Sequence, residues 1–498
     1  MAALAHHASS SSRRPDLALA DSKPGRDRAM DELRRFLEDH PVKKGEMDAA
    51  RFRQLEEELE KKLRNVQRLV LEEAMGAADV DAAAIEVDGK VLRRCLRSSQ
   101  TYMTSGGPVV VERWLYRDRS DPASRSVAAM DLRLGIVEGF WTQHAAEQAS
   151  WVVTQLTPGK AEELFRRVGN MEPSKSSLDR LPKALSERWE ADRESHEAVL
   201  RDALSVPENA VSVVVSIDGV LAPIEGGQDP KKVRERAANE GRLSKGPAGY
   251  RELACACIAF CDEKGDLLSA IRFGRAPEAK KVTLKETLAL DLAHVLAQRP
   301  DLTVVKIADA GGDNWEYLSR LPGGHEVLDF FHATEHLSHA MASVYGDGTL
   351  QARHRFEELR ERLLTEDKGA EAVINSLAYL RRKHPANKVL QRELEYFRKN
   401  KKRMRYAECK RAGLMIGSGV IEATCKTLVA QRLKLSGMRW SSPGAQAILT
   451  MRGWDQSERF DQAWALVAAT YQAEVTILEN VIDLKARFDG NREVSSSG

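Results

Sequence analysis

Three carboxylates stand where the chain could bring them to bear on a substrate. Asp218 ends the run Val211-Ser-Val-Val-Val-Ser-Ile217 and is followed by Gly219. β-Branched side chains fit a pleated strand, and a nearly unbroken apolar run reads as a strand buried on both faces. Glycine just beyond it lets backbone or ligand approach closely. Asp309 repeats the pattern after Leu302-Thr-Val-Val-Lys-Ile307. Glu422 falls in the first turn of a helix opened by Gly417-Ser-Gly419, where the macrodipole favours an ionised carboxylate. In open α/β sheets, reactive groups gather where strands end. Three such acids could hold two Mg²⁺ ions, with Mn²⁺ able to substitute, since these hard cations take oxygen ligands. An ion pair about 3.5–4 Å apart activates water and stabilises both oxygens of an in-line phosphoryl displacement. Taken singly, each acid also fits a solvated strand end or helix start.

Two further clusters carry chemistry. Asp329-Phe-Phe-His332 follows a short strand and pairs an acid with an imidazole, either as support for the acid site or as a strand-end acid and a satisfied histidine. His332-Ala-Thr-Glu335-His336 also matches H-x-x-E-H, with two histidines one helical turn apart and a glutamate able to act as base. That spacing would suit a zinc metallopeptidase, although no third ligand can be identified.

Nucleic-acid contact has its own signal. Arg398, Lys399, Lys401, Lys402, Arg403, Arg405, Lys410 and Arg411 lie close together, with Tyr396, Phe397 and Tyr406 interleaved. Such a stripe could neutralise phosphates of double-stranded DNA, or simply form the solvated face of a charged helix. Arg432, Lys434, Arg439 and Trp440 add a second basic and aromatic patch.

The elements that must position these residues are legible in outline. Residues 30–39 and 46–75 read as helices. In the second, Phe52, Leu55, Leu59, Leu63, Val66 and Val70 fall at helical spacing. That stripe fits a dimerising coiled coil or, more simply, a helix packed on its own domain, since Lys62 interrupts the heptad. Val109–Tyr116 reads as a strand, and residues 132–149 as one helix. Thr157-Pro158 caps another helix that stops at Gly169-Asn170, and Pro173-Ser174 opens a third. This is a helix-turn-helix-like order, in which Ser174, Lys175, Ser176 and Arg180 would face a DNA groove; a plain helical bundle fits equally. Strands are expected over 250–261 and 267–273, joined by Asp262-Glu-Lys-Gly265, with a helix over 283–298, a strand over 303–308 and a short strand over 327–331.

The 498 residues imply several domains with a real core. A formal net charge of +2 gives no overall hint of a polyanionic partner, so local clusters carry that argument. Six sparse cysteines, none in a C-x-x-C pair, argue for a reducing compartment and against a zinc ribbon. Cys255, Cys257 and Cys261 read as small apolar strand residues. No stretch reaches the ~18 apolar residues that a membrane span needs, and a cytoplasmic protein is expected.

Read together, several long blocks place the chain beside a known family. They include Leu134-Gly-Ile-Val-Glu-Gly-Phe-Trp141, the stretch Gly169 to Trp189, Ser216-Ile-Asp-Gly219, Gly274-Arg-Ala-Pro-Glu-Ala-Lys-Lys281 and Ile307-Ala-Asp309. Asp313-Asn-Trp315, Leu328 to His336, Ile416 to Lys426 and Arg432 to Trp440 continue them in order. The sequence resembles the DDE transposases of bacterial insertion sequences, specifically the ISKra group, with Mutator-like relatives. The resemblance implies an α/β fold: an RNase H-like catalytic core with a helical insertion, preceded by mainly helical N-terminal and helix-turn-helix-like segments. It implies Asp218, Asp309 and Glu422 as metal ligands, and Asp329 and His332 close to them. The expected divisions begin with an arm (1–28), an N-terminal helical region (29–110) and a DNA-binding region (111–205). The RNase H-like core follows as two segments (206–342 and 413–484) flanking the insertion (343–412), with a tail (485–498) at the end. A homo-oligomer is expected, because two element ends must be brought together, with the 46–75 helix a candidate contact. The chain departs from the family at Ala310-Gly311, where Gly-Ala is usual after the aspartate, and it lacks the family's paired upstream cysteines. A domesticated relic that binds DNA without cutting it is the alternative.

Overall fold

The computed structural model describes residues 25–41, 45, 47–169, 171–225, 235, 239 and 249–478. The arm read over 1–28 falls outside them up to residue 24, as does the tail at 485–498. The chain divides into two compact units.

The smaller unit contains helices Gly25–Asp39 and Ala49–Ala77 and an antiparallel sheet. Asp48 caps the longer helix by accepting the Arg51 N–H at 2.8 Å. Of its apolar stripe, Phe52, Leu63 and Val70 remain exposed. Strands β1 (Ala84–Val87), β2 (Lys90–Thr104), β3 (Gly107–Arg117) and β4 (Val127–Ala128) follow in order, and Thr476–Leu478 pairs with β1. The expectation of a helical 29–110 region is therefore corrected: a sheet begins at residue 84. Its signal is hidden because β2 carries Arg93, Arg94 and Arg97 and slips register between Arg94 and Leu96. The turn that opens it is visible in hindsight, with Asp88 and Gly89 both at positive φ (49° and 72°) between two paired strands.

The expected single helix over 132–149 is also two. One spans Ala129–Leu134 and the next starts at Gln143. Gly135, Glu138 and Gly139 adopt left-handed backbone (φ 62°, 52° and 62°), which no α-helix can carry.

The larger unit is built on a five-stranded mixed sheet. Its strands are β5 (Ser212–Pro223), β6 (Tyr250–Cys261), β7 (Leu267–Arg275), β8 (Thr303–Ala308) and β9 (His325–Leu328), in the spatial order β7-β6-β5-β8-β9. β5, β6 and β7 form an antiparallel meander, whereas β8 and β9 run parallel to β5 and to each other. Both faces are covered, which explains the apolar runs. Val213, Val215 and Ile217 face helix Val282–Gln298 through Leu284, Leu288, Leu292 and Val295. Val214, Cys255, Cys257 and Ile307 face the opposite layer with Leu428, Val429 and Leu449. The cysteines are thus buried strand residues, as read. The strand expected over 327–331 is shorter and earlier, because Asp329 caps a helix that begins at Phe330. Helices Leu350–Thr365, Gly369–Lys383 and Lys388–Asn400 then fill the insertion. No helix among the described residues is long and apolar enough to cross a membrane.

Candidate active site

β5 and β8 are adjacent and parallel, and their register pairs Ser216 with Ile307. Both acids lie two residues beyond that pair, but only Asp309 leaves the sheet: Asp218, expected at a strand end, lies inside β5, which stays paired with β6 as far as Pro223. Asp218 Oδ1 accepts the Gly219 N–H at 2.7 Å, and Oδ2 lies 3.7 Å from the Cys425 thiol. Burial raises the Asp218 pKa, and the neighbouring charge of Asp309 raises it further, against the lowering influence of the Gly219 N–H and Lys281. Asp309 Oδ1 accepts from Gly311 N (3.0 Å) and, at 3.5 Å, from Asn314 Nδ2, while its main-chain carbonyl accepts the Trp315 indole N–H at 2.5 Å.

Glu422 arrives on helix Gly419–Thr424, which continues as a π-helical stretch over Cys425–Ala430. Single π turns inside helices recur at functional sites. Glu422 is exposed and accepts from the Ser418 hydroxyl at 2.6 Å. Cys425, one turn further, is the residue that reaches Asp218, so this helix is seated against β5 beside that acid.

Asp329 is buried at the joint. Its carboxylate accepts the N–H groups of Phe331 (3.4 Å), His332 (2.8 Å) and Ser418 (2.8 Å), and its own N–H donates to Ala308 O at 2.9 Å. His332 instead turns along its own helix, with Nδ1 3.6 Å from Glu335.

The three acids are oxygen donors of the kind a hard divalent cation takes, and the negative charge that Asp309 sets beside Asp218 is what a cation would offset. As they stand, however, no three His, Cys, Asp or Glu side chains among the described residues are gathered closely enough to hold a metal ion. The same holds for the H-x-x-E-H pattern. His336 points Nδ1 at the buried Glu393 (2.5 Å) and stacks on Tyr396 with centroids 3.6 Å apart. Those contacts give it a structural partner on the insertion helix.

The basic residues separate into two kinds. Arg398, Lys399 and Lys402 are exposed, with no ion pair among the described residues. Lys401 pairs with Glu371 at 2.6 Å and Arg405 lies 3.5 Å from Glu408. Arg403 is tied down, bonded to Glu326 at 2.8 Å and stacked over the Trp315 ring at 4.1 Å. Arg432 is a correction: only 1% exposed, it donates to Val153 O and lies over Trp440, and burial lowers its pKa to about 10. It is a core cation and cannot meet phosphate. Trp440 is half-buried and bonded to Leu433 O through its indole, while Lys434 and Arg439 stay exposed. Ser174 spends its hydroxyl capping the next helix, accepting from Ser177 N at 3.2 Å; Lys175, Ser176 and Arg180 are exposed.

No family model and no curated protein matches the chain. Among solved structures, the Drosophila P element transposase strand transfer complex is similar at 11% identity and a TM-score of 0.25, over 71% of this chain and 87% of that one. A likeness of that size carries no argument about fold or function. The site must be read from its own residues.

Reading by sequence missed three neighbours of the acids. Cys425 gave no signal beyond its place one turn after Glu422. Lys281, which pairs with Glu252 at 2.6 Å and lowers the Asp218 pKa, follows Lys280, and both adopt left-handed backbone (φ 56° and 54°). Ser418 is the third.

Proposed function

We propose that the chain is a DDE transposase with an RNase H-like core, of the ISKra type, that cuts DNA at its element's ends and joins them to target DNA. The observation that carries the reading is the placement of Asp218 and Asp309 at matching positions of adjacent parallel strands, with the Glu422 helix seated beside them through Cys425. In support, β5 is the central strand of its sheet and β8 is its parallel neighbour.

The chemistry is attack of water, then of a DNA 3′-hydroxyl, on a phosphodiester. Two Mg²⁺ ions, when bound, supply activation of the attacking oxygen and charge stabilisation at the leaving one. The role of the chain itself is to hold them. Asp218 and Asp309 contribute carboxylates fixed by Gly219 N–H and by Gly311 N–H, and Glu422 closes the set from the helix. Arg398, Lys399 and Lys402 on the insertion, with Lys434 and Arg439 beyond Glu422, offer phosphate contacts. Lys175, Ser176 and Arg180 would hold a separate stretch of duplex. Synapsis of two ends calls for an oligomer, and cytoplasmic residence follows from the substrate. The test is nicking of supercoiled or end-bearing DNA with Mg²⁺ by wild type, Asp218→Ala, Asp309→Ala and Glu422→Ala. Each variant is expected to fall to background while still binding DNA; equal nicking by all four proteins rejects the assignment.

A second reading is favoured by one observation, the lack of a ready cation cluster among the described residues. On it, the chain is a relic that binds DNA without cutting. Metal-independent DNA binding with no nicking by wild type selects that reading.

A further inference from the structure

Ser418 holds the N-cap position of the Glu422 helix but does not act as a cap. A capping serine ordinarily has extended backbone and accepts an N–H of the first turn. Here the backbone lies at φ −80°, ψ 14°, and the side chain makes no capping bond. The hydroxyl instead donates to Glu422 Oε1 at 2.6 Å, and the Ser418 N–H donates to Asp329 Oδ1 at 2.8 Å. Ser418 is 7% exposed, so water competes poorly for either bond.

Asp329 is itself held by the Ala308 carbonyl, one residue before Asp309. A continuous set of hydrogen bonds therefore runs from the strand end carrying Asp309, through Asp329 and Ser418, to the Glu422 carboxylate. The loop between is pinned too. Phe330 N–H donates to Ile416 O at 3.1 Å, and a Cβ on Gly417 would sit 2.8 Å from the Phe331 ring. Glu422 is exposed, and a free glutamate there would sample several rotamers. The hydroxyl selects one.

Resting on the reading of Glu422 as a cation ligand, we propose that Ser418 is a positioning residue. Its hydroxyl sets the orientation of the Glu422 carboxylate for a divalent cation, and Asp329 sets Ser418. Groups that orient a metal-binding carboxylate change affinity or activity by about 10- to 100-fold when removed.

The experiment uses the full chain and two readouts: Mn²⁺ affinity by calorimetry without DNA, and plasmid nicking in Mg²⁺. Ser418→Ala is expected to weaken Mn²⁺ binding and slow kcat for nicking by about 10- to 100-fold, with KM for DNA and melting temperature unchanged. Ser418→Thr, which keeps the hydroxyl, is expected to restore both. In a Glu422→Ala background, Ser418→Ala should change Mn²⁺ affinity no further, because the two residues act as a unit. If Ser418→Ala fails to fold, Ser418→Cys replaces it under the same criteria. Wild-type behaviour of the Ser418 variant beside a defective Glu422→Ala overturns the positioning role and leaves the proposed function standing. Wild-type behaviour of Glu422→Ala itself overturns both.

Discussion

Arg398 and Arg403 lie within one short stretch and do different work. Arg398, with Lys399 and Lys402, has an exposed charge without an ion-pair partner among the described residues, whereas Arg403 is bonded to Glu326 and stacked on Trp315. Each phosphate neutralised steepens the dependence of log affinity on log salt by ~0.9. Replacing Arg398, Lys399 and Lys402 together by alanine should flatten that slope by about 2–3 without changing the melting temperature. Arg403→Ala should do the reverse, costing about 1 kcal/mol of stability with the slope preserved. DNA binding at several salt concentrations, read beside thermal melts, separates the two. A second residue-scale case is Asp131, which accepts the Tyr102 hydroxyl at 2.5 Å with Arg113 nearby at 3.7 Å. Burial raises its pKa, against the hydrogen bond from Tyr102 and the charge of Arg113. Because the folded state then binds the proton more tightly than the unfolded one, Asp131 favours folding below its unfolded pKa. That contribution is lost as pH rises through the folded value. Melting temperatures of wild type relative to Asp131→Asn should therefore decline across mildly acidic pH and run parallel above it; a difference that grows with pH would contradict the assignment.

Among the elements, β5 to β8 and the helix over 282–298 were legible, because β-branched runs and a turn at Asp262–Gly265 are local signals. Of the smaller sheet only β3 was, as the strand read over Val109–Tyr116; β2 mixes arginines with serines and changes register, so no period of two survives. The break at Gly135–Gly139 was written in its glycines yet overridden by the apolar periodicity around them. At the site, Asp309 was legible as a strand end, but the run of β5 past Asp218 to Pro223 was not, nor was the burial of Arg432, since nothing local distinguishes a core cation from a surface one. Ser418 was hidden because its bonds reach Asp329, far away in sequence. Sheet geometry also rests on Gly324, which turns into β9 at φ 91°; a Cβ there would run into the Val304 carbonyl oxygen. Gly324→Ala should cost about 1–3 kcal/mol by strain at positive φ and by disturbing β8. Thermal melting reads it, and an unchanged midpoint would show that the turn relaxes freely.

At the scale of the molecule, the larger unit alone carries every group the proposed chemistry needs. The mixed sheet brings two acids to matching positions on neighbouring strands, the Glu422 helix brings the third, and the insertion supplies exposed positive charge. With a net charge of only +2, the chain as a whole has no general pull on DNA, so the proposed binding would have to be local and salt-sensitive. What remains is convergence: Asp218 and Asp309 stand on neighbouring strands, but no ready cluster of three ligating side chains is formed among the described residues. Crystals of the full chain grown with Mn²⁺ and DNA, mapped by anomalous scattering, measure that directly. The account predicts two Mn²⁺ peaks about 3.5–4 Å apart, ligated by Asp218, Asp309 and Glu422. Ordered DNA with no manganese at these three side chains would contradict it.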